Sequence, residues 1–430
     1  MTLKYDPYAF EKTKINGVPV LYKKIESAPC IHIRLFFDFG AFHDEEGKEG
    51  VAHFLEHMLL KGSSLFPTKK DTKEFSKKYM LNTLNARTGF FFMGVDGKTL
   101  PENYEKVIEG MFDMILTPKI TQEDFDEEKK VIIQESWGRY KNDKYLKYVR
   151  DLCNNNDTIP DRKRISSPLG WPETIEKFTR EDILDSYNKN VVKENFFAVI
   201  VGNIDNTHIN ILKPYIDRLK SGQKSREVYI PDKILPDKIK LFRNKRVDIG
   251  LEDKNQVGIE LSVMYPRVKD HEAGLRQESI ASMFRGLLQE ILHERFRLDN
   301  SWCYSISAST SMQTDSSYLY IYSDINKDKE KEGLIIAHEV LEDLKGDKYK
   351  DRFEETKKMT IDRTVSAENL SWDIADTARW EYTRHRKVTS LEEMVSYLEK
   401  VTFEDIKKFA QENFTEEKIF TEILLPSDSQ

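Results

Sequence analysis

Three cysteines in 430 residues, Cys30, Cys153 and Cys303, are too few for a disulfide scaffold and stand at no metal-like spacing. They read as free thiols in a reducing compartment. Long apolar runs are missing too: stretches such as "FFAVIVG" (196–202) are strand-sized, far short of a membrane span. The opening "MTLKYDPYAFEKTKING" lacks the apolar centre of a signal peptide. A cytoplasmic protein with no membrane partner is the expectation. There is no basic excess: 67 Lys and Arg face 74 Asp and Glu, a formal net charge of -7, which argues against a dedicated nucleic-acid binder. No H-E-x-x-H occurs, so a thermolysin-like site is excluded. What is present, 33% charged and 39% hydrophobic residues, fits a soluble globular chain long enough for two or three domains.

Strand and helix patterns alternate. "KTKINGVPVLYKKI" reads as a hairpin turning at Asn16-Gly17, and "CIHIRLFFDFG" as a strand. Helical patterns follow at 50–61, 69–79, 102–116 and 122–141, with strand-like "NTLNART" and "FFFMGVDG" between them. The second half then repeats the first. "FTREDILDSYNKNVVKENFFAVIV" from Phe178 matches "VTFEDIKKFAQENFTEEKIFTEIL" from Val401. In both, a threonine (Thr179, Thr402) can cap a helix and the acid three positions on can close the box. "FDEEKKVIIQ" from Phe125 matches "FEETKKMTID" from Phe353, and "VAHFLEHMLL" from Val51 lies over "IASMFRGLLQ" from Ile280. Three matches in one order at nearly one offset imply two domains of one fold. The expected boundaries are 1–220 and 249–430, joined by a charged, proline-containing linker at 221–248.

Chemistry concentrates in "GVAHFLEHMLLKG" (Gly50–Gly62). On a helix, His53 and His57 are four apart and share a face, with Glu56 overhanging it. Val51, Phe54, Leu55, Met58 and Leu59 form the opposite, apolar stripe. A polar helix face is most often simply solvated. Yet two imidazoles one turn apart suit neighbouring positions of a tetrahedral zinc site, and the carboxylate between them is placed to take a proton from a water there. This is the inverzincin order H-x-x-E-H. The duplication supplies a control. The residues aligned with His53, Glu56 and His57 are Ser282, Arg285 and Gly286, while the apolar positions keep their character. The fold therefore does not need the motif.

A third ligand is sought in "EEKKVIIQESWGRY". Glu128 and Glu135 are two turns apart on one face, and align with Thr356 and Arg363 in the second copy. Their loss together with the histidines favours a joint role. Our assignment is Glu135 as ligand, with Glu128 behind it holding a histidine or the ligand in place, although spacing alone does not separate the two.

These stretches together resemble the insulysin, pitrilysin and mitochondrial processing peptidase family from about residue 5 to 425. "GVAHFLEHMLLKGS", the glutamates some eighty residues on, "NART" (Asn85–Thr88) and "FTREDILDSYNKN…FFAVIVGNI" carry the resemblance. It implies an α+β fold of two homologous domains, each a mostly antiparallel sheet with helices packed on one face. It implies one zinc per chain on His53, His57 and Glu135, and Glu56 as base. Asn85 and Ala86 would lie on an edge strand that pairs with the substrate backbone. "RLDNSWCYS" supplies the family's Arg-Tyr pair as Arg297 and Tyr304, with Arg295 as the other arginine candidate. The implied activity is zinc-dependent endopeptidase action on peptides and small unfolded proteins in an enclosed chamber. Two domains resemble the small-subunit type, which builds that chamber from two chains: a homodimer, or a heterodimer with a related chain. A non-catalytic assembly subunit of this fold and a zinc lyase acting on a small molecule are the alternatives. The chain departs from the family at "GFFFMGVDG", where polar and acidic residues are usual, and at "ILHERF" before Arg297. Both departures leave substrate preference open.

Overall fold

Asn16 and Gly17, with φ of 49° and 87°, reverse the chain between β1 (Glu11–Ile15) and β2 (Val18–Lys24), as an Asn-Gly pair favours. The computed structural model describes residues 5–81, 84–140, 146–147, 150, 167–226, 245–251, 255–266, 268, 270–312, 316–366 and 371–426. With β3 (Ile31–Phe37), β4 (Asn85–Thr88), β5 (Met93–Thr99) and β6 (Phe196–Gly202), the hairpin forms a six-stranded sheet in the order β1-β2-β6-β3-β5-β4. A second sheet contains β7 (Lys245–Leu251), β8 (Gln256–Pro266), β9 (Cys303–Met312), β10 (Ser316–Asn326) and β11 (Phe420–Pro426), in the order β7-β11-β8-β10-β9. Leaving β1 aside, the two orders are the same. Each sheet has one parallel pair at the same place, β2 with β6 and β7 with β11. The repeat seen in the sequence is thus a repeat of topology. Residues 227–244 of the expected linker lie outside the described residues, and its last positions belong to β7.

Helices of nine residues or more are numbered α1 (Val51–Leu59), α2 (Lys69–Tyr79), α3 (Tyr104–Leu116), α4 (Gln122–Tyr140) and α5 (Arg180–Asn190) in the first half. In the second half they are α6 (His271–His293), α7 (Glu330–Asp343), α8 (Lys350–Ser366), α9 (Ser371–His385), α10 (Leu391–Lys400) and α11 (Phe403–Asn413). Thr179 and Thr402 cap α5 and α11, and Asp182 and Asp405 close both boxes. One face of the first sheet (Ile33, Leu35, Val95, Ile200) buries against Phe54, Leu55 and Met58 of α1 and Val107, Met111 and Phe112 of α3. In the second sheet, Ile259, Leu261, Leu319 and Ile321 do the same against Phe284 and Leu288 of α6, Val340 of α7 and Phe409 of α11. No helix among the described residues is long and apolar enough to cross a membrane.

The other face of the first sheet is covered as well. Leu21, Phe36, Phe197 and Val199 meet Ile374, Ala375, Ala378 and Tyr382 of α9, a helix from the far half of the chain. Burial on both sides explains why β6 reads as a continuous apolar run rather than an alternating one, and why even His32 and Arg34 of β3 are buried. A charge cluster is enclosed between α9 and the strands. Arg34 lies 3.8 Å from Asp96 and 3.5 Å from Asp376; Arg87 lies 2.9 Å from Asp96; Arg379 holds Asp376 at 3.1 Å. Burial raises the Asp96 carboxyl, against the pull of Arg34 and Arg87. Among the described residues Arg34, Arg87 and Arg379 surround Asp96 and Asp376, so losing Asp96 strips the buried Arg34 of a carboxylate neighbour. Asp96→Ala is expected to destabilise the protein by about 3–5 kcal/mol in urea unfolding. A loss below about 1 kcal/mol would mean that Asp376 alone neutralises the cluster.

Candidate metal centre and active site

Helix α1 begins in a constrained way. Its N-cap, Gly50, has φ of 102°, and a Cβ there would fall 2.8 Å from the Leu169 carbonyl oxygen, so only glycine fits. Glycine offers no capping side chain. The buried Asp44 carboxylate substitutes, accepting from the Gly50 N–H at 2.8 Å and the Ala52 N–H at 3.1 Å. A negative group there also complements the helix dipole. On the apolar side, Phe54 stacks on Phe125 of α4 with ring centres 4.9 Å apart. That contact sets the polar edge of α1 against the face of α4 that carries Glu128 and Glu135.

His53, His57 and Glu135 converge: one ligand atom from each lies within 4.8 Å of the others. The imidazole centres are 4.6 Å apart, and Glu135 Oε2 lies 3.6 Å from His57 Nε2 and 4.0 Å from His53 Nε2. Two imidazole nitrogens and one carboxylate on the same spot are the donor set of a catalytic zinc that keeps a fourth position open. Glu128 is buried and approaches His57 from the other side, with Oε1 2.8 Å from Nδ1. This bond places a proton on Nδ1 and leaves the Nε2 lone pair facing Glu135. The two glutamates are therefore distinguished by position: Glu135 faces both Nε2 atoms and Glu128 braces one ring. His53 Nδ1 is buried without an acceptor among the described residues.

Electrostatics differ sharply among these neighbours. Burial drives His53 down to about 3, helped by the nearby His57, so it is a neutral donor at physiological pH. Burial pushes His57 down, but Glu128 and Glu56 outweigh it and raise its pKa. Burial would raise Glu128; hydrogen bonds from His57 and Lys61 prevail and hold it at about 2. Glu56 is enclosed beside the cluster, and burial pushes it up to about 7 against the pull of His57 and Thr88. The Thr88 hydroxyl lies beside that carboxylate without a well-formed hydrogen bond. Sequence reasoning missed Thr88, although it closes the "NART" motif.

Strand β4 is at the edge of its sheet. Asn85 and Ala86 pair with Asp96 and Val95 of β5, and no strand pairs with the other side among the described residues. Its neighbour α1 runs alongside it. The unusual phenylalanines after β4 have structural partners. Phe90 and Phe91 pack on Phe42 at 4.6 and 5.0 Å, and Phe92 lies 4.0 Å from the Arg379 guanidinium of α9.

Arg297 and Tyr304 are not brought to this site. Arg297 stands on a π-helical turn (Glu294–Leu298) that ends α6, and its guanidinium lies 5.1 Å from the Tyr304 ring centre. Tyr304 is 83% exposed at the start of β9 in the second sheet. Arg295 is engaged elsewhere, with Glu339 at 3.2 Å, which leaves Arg297 as the tyrosine's companion. No hydrogen bond, ion pair or ring contact links the pair to the metal cluster among the described residues. In the second copy, Gly286 lies against Thr356 as His57 lies against Glu128, and Arg285 is near Arg363 as Glu56 is near Glu135. The scaffold is repeated without the two histidines and the glutamates.

A buried H-x-x-E-H helix and a glutamate-bearing helix, on one of two sheets that share a five-strand order, are the arrangement expected of a two-domain zinc protease. Residues 19–156 match the family profile described as insulinase (peptidase family M16), and residues 177–360 match that of the peptidase M16 inactive domain. The chain belongs to this insulinase family of zinc proteases. An uncharacterized zinc protease of Rickettsia bellii is 27% identical over 322 residues, 73% of each chain. The mitochondrial-processing peptidase subunit beta of Dictyostelium discoideum is 25% identical over 227 residues, 53% of this chain and 47% of that one. The periplasmic protease PqqL from Escherichia coli has the same fold, with a TM-score of 0.81 at 16% identity, over 97% of this chain and 48% of that longer one.

Proposed function

We propose that the chain is a zinc-dependent endopeptidase for peptides and small unfolded proteins. The observation that carries this reading is the meeting of His53, His57 and Glu135 with Glu56 enclosed beside them. A zinc held by these three residues would polarise the scissile carbonyl and acidify the attacking water. Glu56, held near neutrality, accepts the water proton and returns it to the leaving amine. The substrate adds as a strand to the open edge of β4 beside Asn85 and Ala86, so backbone bonds supply affinity and sequence preference stays loose. Tyr304, with Arg297, holds the substrate carbonyls or the oxyanion. Both lie away from the cluster of their own chain, and Tyr304 is exposed. The site is therefore completed across a two-fold homodimer that encloses the chamber, each zinc facing the Arg-Tyr pair of the other copy. A related chain in place of the second copy is the alternative.

A non-catalytic assembly role fits less well. The inactive-domain profile falls on residues 177–360, whereas His53, Glu56, His57 and Glu135 are all present. The test measures zinc content and cleavage of a quenched peptide together. The wild type should hold one zinc per chain and cut the peptide. Chelation should stop cleavage, and zinc should restore it. Glu135→Gln should lose zinc. If Glu128→Gln loses more metal than Glu135→Gln, the two roles are reversed. Zinc without any peptide cleavage would favour a lyase, and no zinc at all an assembly subunit.

A further inference from the structure

Lys61 is an unusual lysine. The helix ends at Leu59, and the Lys61 N–H still reaches the Met58 carbonyl at 3.3 Å. The next residue, Gly62, is locked: its carbonyl accepts from the Lys119 N–H at 2.8 Å, and a Cβ there would meet the Pro67 oxygen at 2.7 Å. Lysines normally extend their ammonium into water. The Lys61 side chain is only 7% exposed and turns inward, ending 2.9 Å from Glu128 Oε2. The other oxygen of the same carboxylate holds His57. A single buried glutamate is thus stretched between a lysine and a metal-site histidine. Lys69 lies 3.9 Å from the same Oε2 but is 68% exposed, and Glu127, the second partner of Lys61 at 3.4 Å, is 64% exposed. Neither fixes geometry as the enclosed pair does.

The same two positions can be compared in the internal repeat. Continuing the match of Val51 with Ile280, Lys61 falls on Glu290, and Glu128 falls on Thr356. The Thr356 hydroxyl donates to Glu290 Oε2 at 3.0 Å. The two positions touch in both copies, so the fold supplies the contact. The lysine–carboxylate chemistry occurs only in the copy that has the histidines.

We propose that Lys61 is a positioning residue of the metal centre: it anchors one oxygen of Glu128 so that the other orients the His57 ring with Nε2 toward the metal. The proposal rests on the zinc reading above. Without Lys61, the Glu128 side chain loses its buried anchor and His57 loses a fixed orientation. Groups behind a ligand typically contribute about 10–100-fold to metal affinity. The experiment measures the zinc dissociation constant of the full chain by chelator competition, for wild type, Lys61→Met, Lys61→Gln, Lys61→Arg and Lys69→Met. The apo proteins are melted in parallel, and the visible spectrum of the cobalt(II)-loaded forms is recorded. Lys61→Met and Lys61→Gln should bind zinc about 10–100-fold more weakly and shift the cobalt spectrum. Lys61→Arg should recover part of the affinity, and Lys69→Met should match wild type. If one uncharged variant fails to fold, the other carries the test. Folded Lys61→Met or Lys61→Gln with wild-type affinity and an unshifted cobalt spectrum would overturn the proposal. So would equal weakening by Lys69→Met, which would make the effect one of general charge. A wild type that binds no zinc would instead refute the zinc reading.

Discussion

Glu56→Gln is expected to hold zinc as the wild type does and to lose about 10²–10⁴ in kcat/KM, or more if the same group also serves the leaving amine. The substitution is close to isosteric, and the side chain is nearly enclosed, so packing beside Thr88 and α1 is retained. His53, His57 and Glu135 are untouched. What disappears is a carboxyl that burial holds near 7, where it can both take and return a proton. Zinc content by mass spectrometry and turnover of a quenched peptide, measured on one preparation, separate metal loss from base loss. Near-normal turnover with zinc present would remove Glu56 from the mechanism.

Complementation should give the second large effect. Glu56→Gln and Tyr304→Ala are each expected to be nearly inactive as homodimers. Mixed in equal amounts under subunit exchange, half of the dimers are hybrids. In each hybrid one site has Glu56 from one chain and Tyr304 from the other, so activity should return to roughly a quarter of wild type. The structural basis is the separation of the groups: Arg297, on the turn that ends α6, lies over the ring of Tyr304 at the start of β9, and Tyr304 is open to solvent. If exchange is verified by mass and no activity returns, Tyr304 acts within its own chain or not at all. The zinc chemistry would survive that result; the crossed dimer would not.

The candidate site was legible where its residues are local. His53, Glu56 and His57 lie within little more than one turn of a short helix, and the period of a helix decides which side chains share a face. Glu128 and Glu135 obey the same rule on α4, and their common absence from the second copy ties them to the histidines. The repeat also foretold two sheets, because cap, apolar stripe and closing strand recur in one order. Spacing could not tell which glutamate faces both histidines. That depends on how far each side chain stands from the α1–α4 crossing, which Phe54 and Phe125 set.

By itself, then, the sequence determined the candidate ligand types, their spacing and the duplicated topology, all of which depend on local period and order. Tertiary structure alone decided the rest. Any amphipathic helix could have covered the first sheet, and only packing chose α9, which encloses Arg34 and Asp96 beneath it and sets its own Asp376 beside Arg34. A lysine two residues past a helix ordinarily points to water. Only the closed backbone at Gly62 and the buried Glu128 turn Lys61 inward. Thr88 reaches Glu56 because the edge strand runs along α1, and Tyr304 is left exposed because β9 belongs to the other sheet. These are contacts between segments far apart in the chain. Their geometry follows from packing competition over the whole fold, not from any local pattern.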